Sequence, residues 1–421
     1  MRAFWLVLAF ALCFGCTSKE FEQQKESAKL ETGVNTLDEG KKEISSEDLA
    51  AVVEGNNRFA FDLYHQLGQK PGNKFFSPYS ISTALGMTYA GARGNTAKEM
   101  AQTLHFTLDN ERLHPAFGEL IRKINGADKK RNYELDVANS LWGAEGLSLE
   151  PKFLRITQID YQAGFKSADF ANNPEGERQI INGWVEGKTN KKIEDLIPKG
   201  LITGNTRLVL VNAIYFKADW DMPFPKKRTW PEDFTIPGSP AFKVPMMHHT
   251  FEANYMENAD FQLAEFIYKD KEVSMLVILP KKSGGLSQVE KKLSAKALAE
   301  ALSATRPTRL EVSLPKFKMT EEFSLGKDLA ALGMKDAFTS SADFSGMSPS
   351  ESLGISAVVH KAFVEVDEKG TEAAAGTAVI VAKSRVTVIP FRANHPYSFV
   401  LRHNATGSIL FLGRVFDPRG N

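Results

Sequence analysis

Only two cysteines occur in the 421-residue chain, Cys13 and Cys16, and both lie close to its start. No disulfide can therefore staple the remainder, whose stability must come from a hydrophobic core. Charge of one sign is also lacking. The 52 basic and 51 acidic side chains leave a formal charge of +1, and single-sign blocks are short, which argues against a dedicated nucleic-acid binder. No GxSxG, HExxH, glycine-rich phosphate loop or CxxC is found, so the commoner local signatures of catalysis fail together. No internal repeat and no long linker interrupts the chain after its first residues. What is present is a composition of 43% hydrophobic and 24% charged residues, enough to bury a large core.

The remaining chemical candidates are weak. His248 and His249 are adjacent, which in a strand sends them to opposite faces and prevents shared chelation of a metal. Lys129, Lys130 and Arg131 form a small basic cluster better read as solvated loop charge than as a polyanion site. Ser77, Ser80 and His360 could be imagined as nucleophile and base. Each lies in an apolar run, where a buried hydrogen-bonding role fits better. The expectation is a protein that is not an enzyme and needs no metal or other cofactor.

The N-terminal "MRAFWLVLAFALCFGC" has one positive residue, Arg2, then an apolar run from Ala3 to Phe14 that is short for a membrane-spanning helix. It reads as an export signal. Ending on Gly15-Cys16, it resembles a bacterial lipoprotein signal, which implies that residues 1–16 end at an acylated Cys16. An ordinary cleaved signal with an incidental cysteine is the alternative. Residues 17–46 are polar and charged and read as a flexible tether. Anchor and tether together would hold residues 47–421, read as one domain, on the outer membrane or cell surface of a bacterium, with secretion as the fallback.

Within that domain "SSEDLAAVVEGNNRFAFDLYHQL" predicts a first helix, with a capping candidate at Ser46 and apolar Leu49, Val52, Val53, Phe59, Leu63 and Leu67 at helical spacing. "SPYSISTALGMTYAGA" opens on Ser77-Pro78 and predicts a buried helix. The runs "RLVLVNAIYFKADW", "VSMLVILP", "RLEVSLPKFKM", "GISAVVHKAFVEVDE", "RANHPYSFVLRHN" and "GSILFLGRVFDP" predict strands. Helices early and strands late indicate an α+β class rather than a βαβ repeat.

The blocks "NKFFSPYSISTALGMTYAGARGNTAKEM" (73–100), "LVLVNAIYFKADWDMPF" (208–224), "VSLPKFKM" (312–319), "HKAFVEVDEKGTEAAAGTA" (360–378) and "HPYSFVLRHNATGSILFLGRVFDP" (395–418) together resemble the serpin family, in its order and spacing, from about Ser46 to Pro418. The resemblance implies the serpin fold, with about eight or nine helices, three β-sheets and an exposed reactive-centre loop. It also implies suicide inhibition of serine proteases, and for some members cysteine proteases, by a monomer. In that mechanism the cleaved loop enters the central sheet as a new strand while the protease is still acylated. Ser77, Ser80, Asn212 and His360 match the family's buried polar cluster beneath the strands that must part. Trp220 matches the aromatic where insertion begins, and Glu368 with Lys316 matches a pair at the loop base.

Composition of the loop itself agrees with insertion. The hinge Glu368, Lys369, Gly370, Thr371, Glu372, Ala373, Ala374, Ala375 and Gly376 is small and free of proline, as a central strand requires. Alternation from Thr371 would turn Thr371, Ala373, Ala375 and Thr377 inward and leave Glu372 toward solvent, whereas the opposite register would bury that carboxylate. "VTVIPF" reads as a strand directly after Arg385. A flexible Ala/Gly spacer is the alternative for this run. The attacked bond remains open among Lys383, Ser384 and Arg385. Counting along the loop by the family's spacing reaches Ser384, and counting back from Pro396 reaches Arg385. The flanking bases favour trypsin-like enzymes first, and Val381 with Ala382 could suit an elastase-like pocket. The competing functions are a non-inhibitory serpin-fold binding protein or chaperone, and a hydrolase with an unrecognised Ser/His pair.

Overall fold

A computed structural model describes residues 44–126, 133–371 and 387–420. The first half is mainly helical: α1 (Ser46–Gly68), α2 (Pro78–Tyr89), α3 (Gly94–Leu104), α4 (Asn110–Asn125), α5 (Pro151–Ile159) and α6 (Pro174–Lys188), with strands β1 (Lys74–Phe76), β2 (Tyr133–Ala144) and β3 (Phe165–Ala168) between them. Strands dominate thereafter: β4 (Leu208–Asp219), β5 (Thr229–Phe234), β6 (Phe242–Glu257), β7 (Phe261–Ile267), β8 (Val273–Pro280), β9 (Arg306–Pro315), β10 (Phe317–Ser324), β11 (Ala357–Val366), β12 (Gly370–Thr371), β13 (Ile389–Arg392), β14 (Tyr397–His403) and β15 (Ile409–Val415). Three short helices, α7 (Leu286–Glu290), α8 (Ala295–Ser303) and α9 (Gly326–Ala331), lie among them.

One sheet runs β10-β11-β4-β2-β3, with β12 added on β4. A second network runs β1-β15-β14-β8-β7-β6-β9-β13, with β5 beside β6. The 16-residue β6 makes this network continuous, pairing with β5 through its first half and with β7 through its last residues. Two of the expected three sheets are thus joined through β6.

The first sheet is covered on both faces, and β4 shows why its sequence reads as an unbroken apolar run. Val209, Val211, Ala213 and Tyr215 pack with Ile181 and Val185 of α6, together with Val359 and Phe363 of β11. Leu208, Leu210, Ile214 and Phe216 belong to the main core. Asn212 shares the parity of that second set, so a polar side chain points into the interior between Leu210 and Ile214.

Two boundaries differ from sequence expectation. The first helix is capped by Ser45, whose hydroxyl accepts from Asp48 N at 3.0 Å, and Ser46 is its first helical residue. Either serine could cap, and helical phase decides. The strand after the loop begins at Ile389, where its pairing with Leu310 of β9 starts, and not at Val386. In the second predicted helix Ser77 caps and Pro78 opens, as its sequence suggests.

Candidate functional site

Between β4 and β11 the ladder is parallel, Ala357–Phe363 lying beside Val209–Tyr215. Above it the chain leaves β11 at Val366 and turns sharply. Asp367 N donates to Gly370 O at 2.9 Å, while Asp367 Oδ1 accepts from Lys369 N at 2.9 Å and Gly370 N at 3.3 Å. The strand ends at Val366, short of the full run "GISAVVHKAFVEVDE", because the Asp367 side chain bonds the backbone ahead of it. Gly370 and Thr371 then pair antiparallel with Asp219 and Ala218 at the upper end of β4. A Cβ at Gly370 would lie 2.1 Å from Ala218 O, so only glycine permits this approach.

Several side chains hold the turn. Trp220 N donates to Lys369 O at 2.8 Å and Trp220 Nε1 to Asp367 O at 3.1 Å. Phe224 N donates to Glu368 O at 2.7 Å. The Trp220 ring stacks on Tyr268 at 4.3 Å, and the Tyr268 hydroxyl bonds Thr371 Oγ1 at 2.9 Å. Thr371 is 1% exposed and faces inward. Lys316 Nζ reaches Glu368 Oε2 at 2.8 Å. Burial is the largest single influence on Glu368 and raises its pKa, but hydrogen bonds from Lys316, from its own backbone and from Thr229, with the Lys316 charge, together outweigh it, so the carboxyl sits below its ordinary value. Replacing Glu368 with lysine would set two ammonium groups together and free the turn. Faster amide exchange at Gly370 and Thr371, with little change at β14, is the expected outcome, read by hydrogen-exchange mass spectrometry.

Deeper in the same sheet a polar row crosses the strands that flank this position. Asn139 of β2 pairs with Asn212 of β4, Asn212 with His360 of β11, and His360 with Phe323 of β10. The start of α2 lies against this row. Ser77 N donates to His360 Nε2 at 3.1 Å, which makes Nε2 an acceptor and leaves Nδ1 to donate to Asn212 Oδ1. Asn212 Nδ2 donates to Ser80 Oγ and to Asn139 Oδ1, and Ser80 Oγ donates to Asn139 Oδ1 at 3.0 Å. Ser77 Oγ donates to Leu410 O at 2.6 Å and accepts from Ser80 N at 3.1 Å. This network is fully bonded, with no hydroxyl left as a nucleophile and no base open to solvent.

His360 is fully buried, and desolvation lowers its pKa to about 3. It is neutral in the folded state at any pH near neutrality. A folded pKa below the unfolded value of 6.5 means that its contribution is complete above 6.5 and is lost as pH falls toward 3, on the order of 4–5 kcal/mol over the whole window. His114 and His403, lowered by burial first to about 4 each, act in the same direction. The melting temperature is therefore expected to fall from pH 6.5 downward, and His360→Gln to reduce the slope, as scanning calorimetry between pH 4 and 7.5 would show.

Ser77, Ser80, Asn212 and His360 are thus brought together in one group, and Trp220, Lys316, Glu368, Lys369, Gly370 and Thr371 in another. Glu372, Ala373, Ala374, Ala375, Gly376, Lys383, Ser384, Arg385 and Cys16 lie outside the described residues, as does the Lys129–Arg131 cluster. Sequence reasoning missed Asn139, Phe224, Asp367 and Tyr268. The Asn-Ser pair in "YELDVANSLW", a run not read as a strand, was the available signal for Asn139. Nothing local marked Tyr268, which the fold brings to the loop base. His248 and His249 both lie on β6; the former bonds Ser313 at 3.0 Å and the latter packs on Phe251.

An α+β molecule with a parallel strand pair, a polar row across it and a loop base starting an antiparallel strand above it defines the serpin architecture. A family model described as serpin (serine protease inhibitor) matches residues 54–418, and the chain belongs to this family. Human Serpin B3 is 42% identical over 391 residues, covering 87% of this chain and 100% of that protein. Human leukocyte elastase inhibitor is 42% identical over 380 residues, covering 86% and 98%. An uncharacterised serpin-like protein of Thermococcus kodakarensis is 41% identical over 372 residues, covering 87% and 86%. Among solved structures, human thyroxine-binding globulin complexed with thyroine superposes with a TM-score of 0.81 at 32% identity, over 88% of this chain and 100% of that one. Uncleaved ovalbumin gives 0.79 at 29%, over 87% and 100%. The family is described as one of protease inhibitors rather than catalysts.

Proposed function

We propose that this chain is a suicide inhibitor of serine proteases, trapping them as acyl-enzymes when the cleaved loop inserts between β4 and β11. The observation that carries this is the antiparallel pairing of Gly370 and Thr371 on β4, above the point where β11 occupies the same edge in parallel. A strand has been started in a slot that is closed below it. Trypsin-like enzymes are the first targets, on the strength of Lys383 and Arg385. Elastase-like enzymes are second, supported by Val381 and Ala382 and by the name of the leukocyte relative. Cysteine proteases remain a further class. The segment ending at Cys16 anchors the chain by lipid to a bacterial outer membrane or cell surface, and the chain acts there as a monomer. Mass spectrometry finding an unacylated mature N-terminus would remove the anchor.

The test is incubation with trypsin and with elastase, followed by denaturing electrophoresis and sequencing of the released peptide. An SDS-resistant complex with a peptide beginning at Ser384, Arg385 or Val386 is expected. Clean cleavage without complex by every enzyme would leave the non-inhibitory binding or chaperone role instead.

A further inference from the structure

Phe224, which holds Glu368, is followed within a few residues by "KKRTW". Lys226, Lys227 and Arg228 form a single turn in which all three side chains are exposed. Among the described residues none of them makes an ion pair. Trp230 follows on β5 and is 43% exposed, yet it is not loose. Its ring stacks on His248 at 4.0 Å and its Nε1 donates to Glu232 Oε1 at 2.8 Å.

This edge belongs to the loop's surroundings at both of the loop's ends. At the N-terminal end, Lys316 bonds Glu368 through its side chain and Pro245 O through its backbone N, and Pro245 pairs with Pro231 of β5. At the C-terminal end, Val388 is 42% exposed and leads into β13, which is connected to β5 through β9 and β6. Trp230 and three cations without an ion pair among the described residues therefore lie on the strand edge next to the one that holds the loop base through Lys316 and Pro245.

We propose that Lys226, Lys227, Arg228 and Trp230 form a second docking surface for the protease engaged on the loop, complementary to an acidic rim beside that enzyme's cleft. The proposal rests on the inhibitory function above and adds a selectivity that the loop sequence does not supply. A rigid, part-exposed tryptophan beside an arginine has the composition of an interface anchor, since little side-chain freedom is lost on contact. The cations would act on the rate of encounter. A polyanion fits less well. The positive charge is confined to one turn, and the strand after it carries Glu232 and Asp233, the latter paired with Lys243 at 3.1 Å, whereas a polyanion needs a continuous track.

The test compares two arginine-specific enzymes of opposite surface charge, an acidic pancreatic kallikrein and cationic bovine trypsin. The variants are K226A/K227A/R228A and Trp230→Ala, each checked for an unchanged melting temperature. At low salt the triple variant is expected to form the kallikrein complex at least about fivefold more slowly, with the deficit shrinking at about 0.5 M NaCl and trypsin changing by less than about twofold. Trp230→Ala is expected to weaken kallikrein binding at both salt concentrations. Equilibrium binding to the anhydro forms of both enzymes, which lack the nucleophile, reads docking even if no trapping follows. Absence of any SDS-stable complex with the parent chain would thus count against the inhibitory function alone. Unchanged kallikrein rates and binding, an equal loss for both enzymes, or a change confined to retention on heparin would each overturn the docking surface.

Discussion

Proteolysis of the loop beyond Thr371 raises the melting temperature of the chain by about 10 °C or more. The expectation follows from the ladder between β4 and β11. Those strands now share one parallel set of bonds, from Ala357–Val209 to Phe363–Tyr215. A strand entering between them replaces that set with two antiparallel ones, and antiparallel pairing is the better bonded per residue. About a dozen loop residues at a net ~1 kcal/mol per hydrogen bond, with added apolar burial, give on the order of 10 kcal/mol or more. For a domain of this size a kilocalorie moves the midpoint by somewhat over 1 °C by extrapolating the size scaling, which gives the figure above.

The gain is withheld by what must first be undone. The His360–Asn212 bond crosses the line of separation, and Ile181 and Val185 of α6 pack over Val211, Ala213, Val359 and Phe363 on the two strands concerned. Scanning calorimetry of intact and nicked chains decides the matter, and coincident transitions would show that no strand has entered.

Much of this was legible in the sequence, and the gaps have physical reasons. The strand runs at 208–219, 273–280 and 397–403 are apolar because both faces of their sheets are covered, so composition alone located them. Strands β2, β5 and β6 were not foreseen. Their faces are unequally buried, and polar residues such as Asp136, Asn139, Glu232 and His248 break the apolar run. The polar group at Ser77, Ser80, Asn212 and His360 came from family resemblance. Its physical logic emerges only when cross-strand pairing sets Asn139, Asn212 and His360 in one row. The loop base is similar. Glycine at 370 signals freedom of backbone, but the carbonyl of Ala218 that requires it lies far away in sequence.

Thr371→Arg converts the chain from inhibitor to substrate, the loop being cut at an undiminished rate while covalent complex disappears. Insertion competes with hydrolysis of the acyl-enzyme, so whatever slows the first strand residue gives the protease time to escape. Thr371 is 1% exposed, its hydroxyl bonded to Tyr268 beneath Trp220. A guanidinium cannot occupy that position without an unpaired buried charge, and a penalty of about 3 kcal/mol at the entering transition state slows insertion roughly a hundredfold. Gly370→Val should act by a different route, since its Cβ would collide with Ala218 O and expel the two paired residues from β4. Thr371→Val, which keeps size and β preference but loses the Tyr268 bond, should retain most trapping. The ratio of complex to cleaved chain on denaturing gels separates the three. If the arginine variant trapped its protease as well as the parent does, burial of residue 371 against β4 would not be required for insertion, and the strand begun at Gly370 would not be the one that insertion extends.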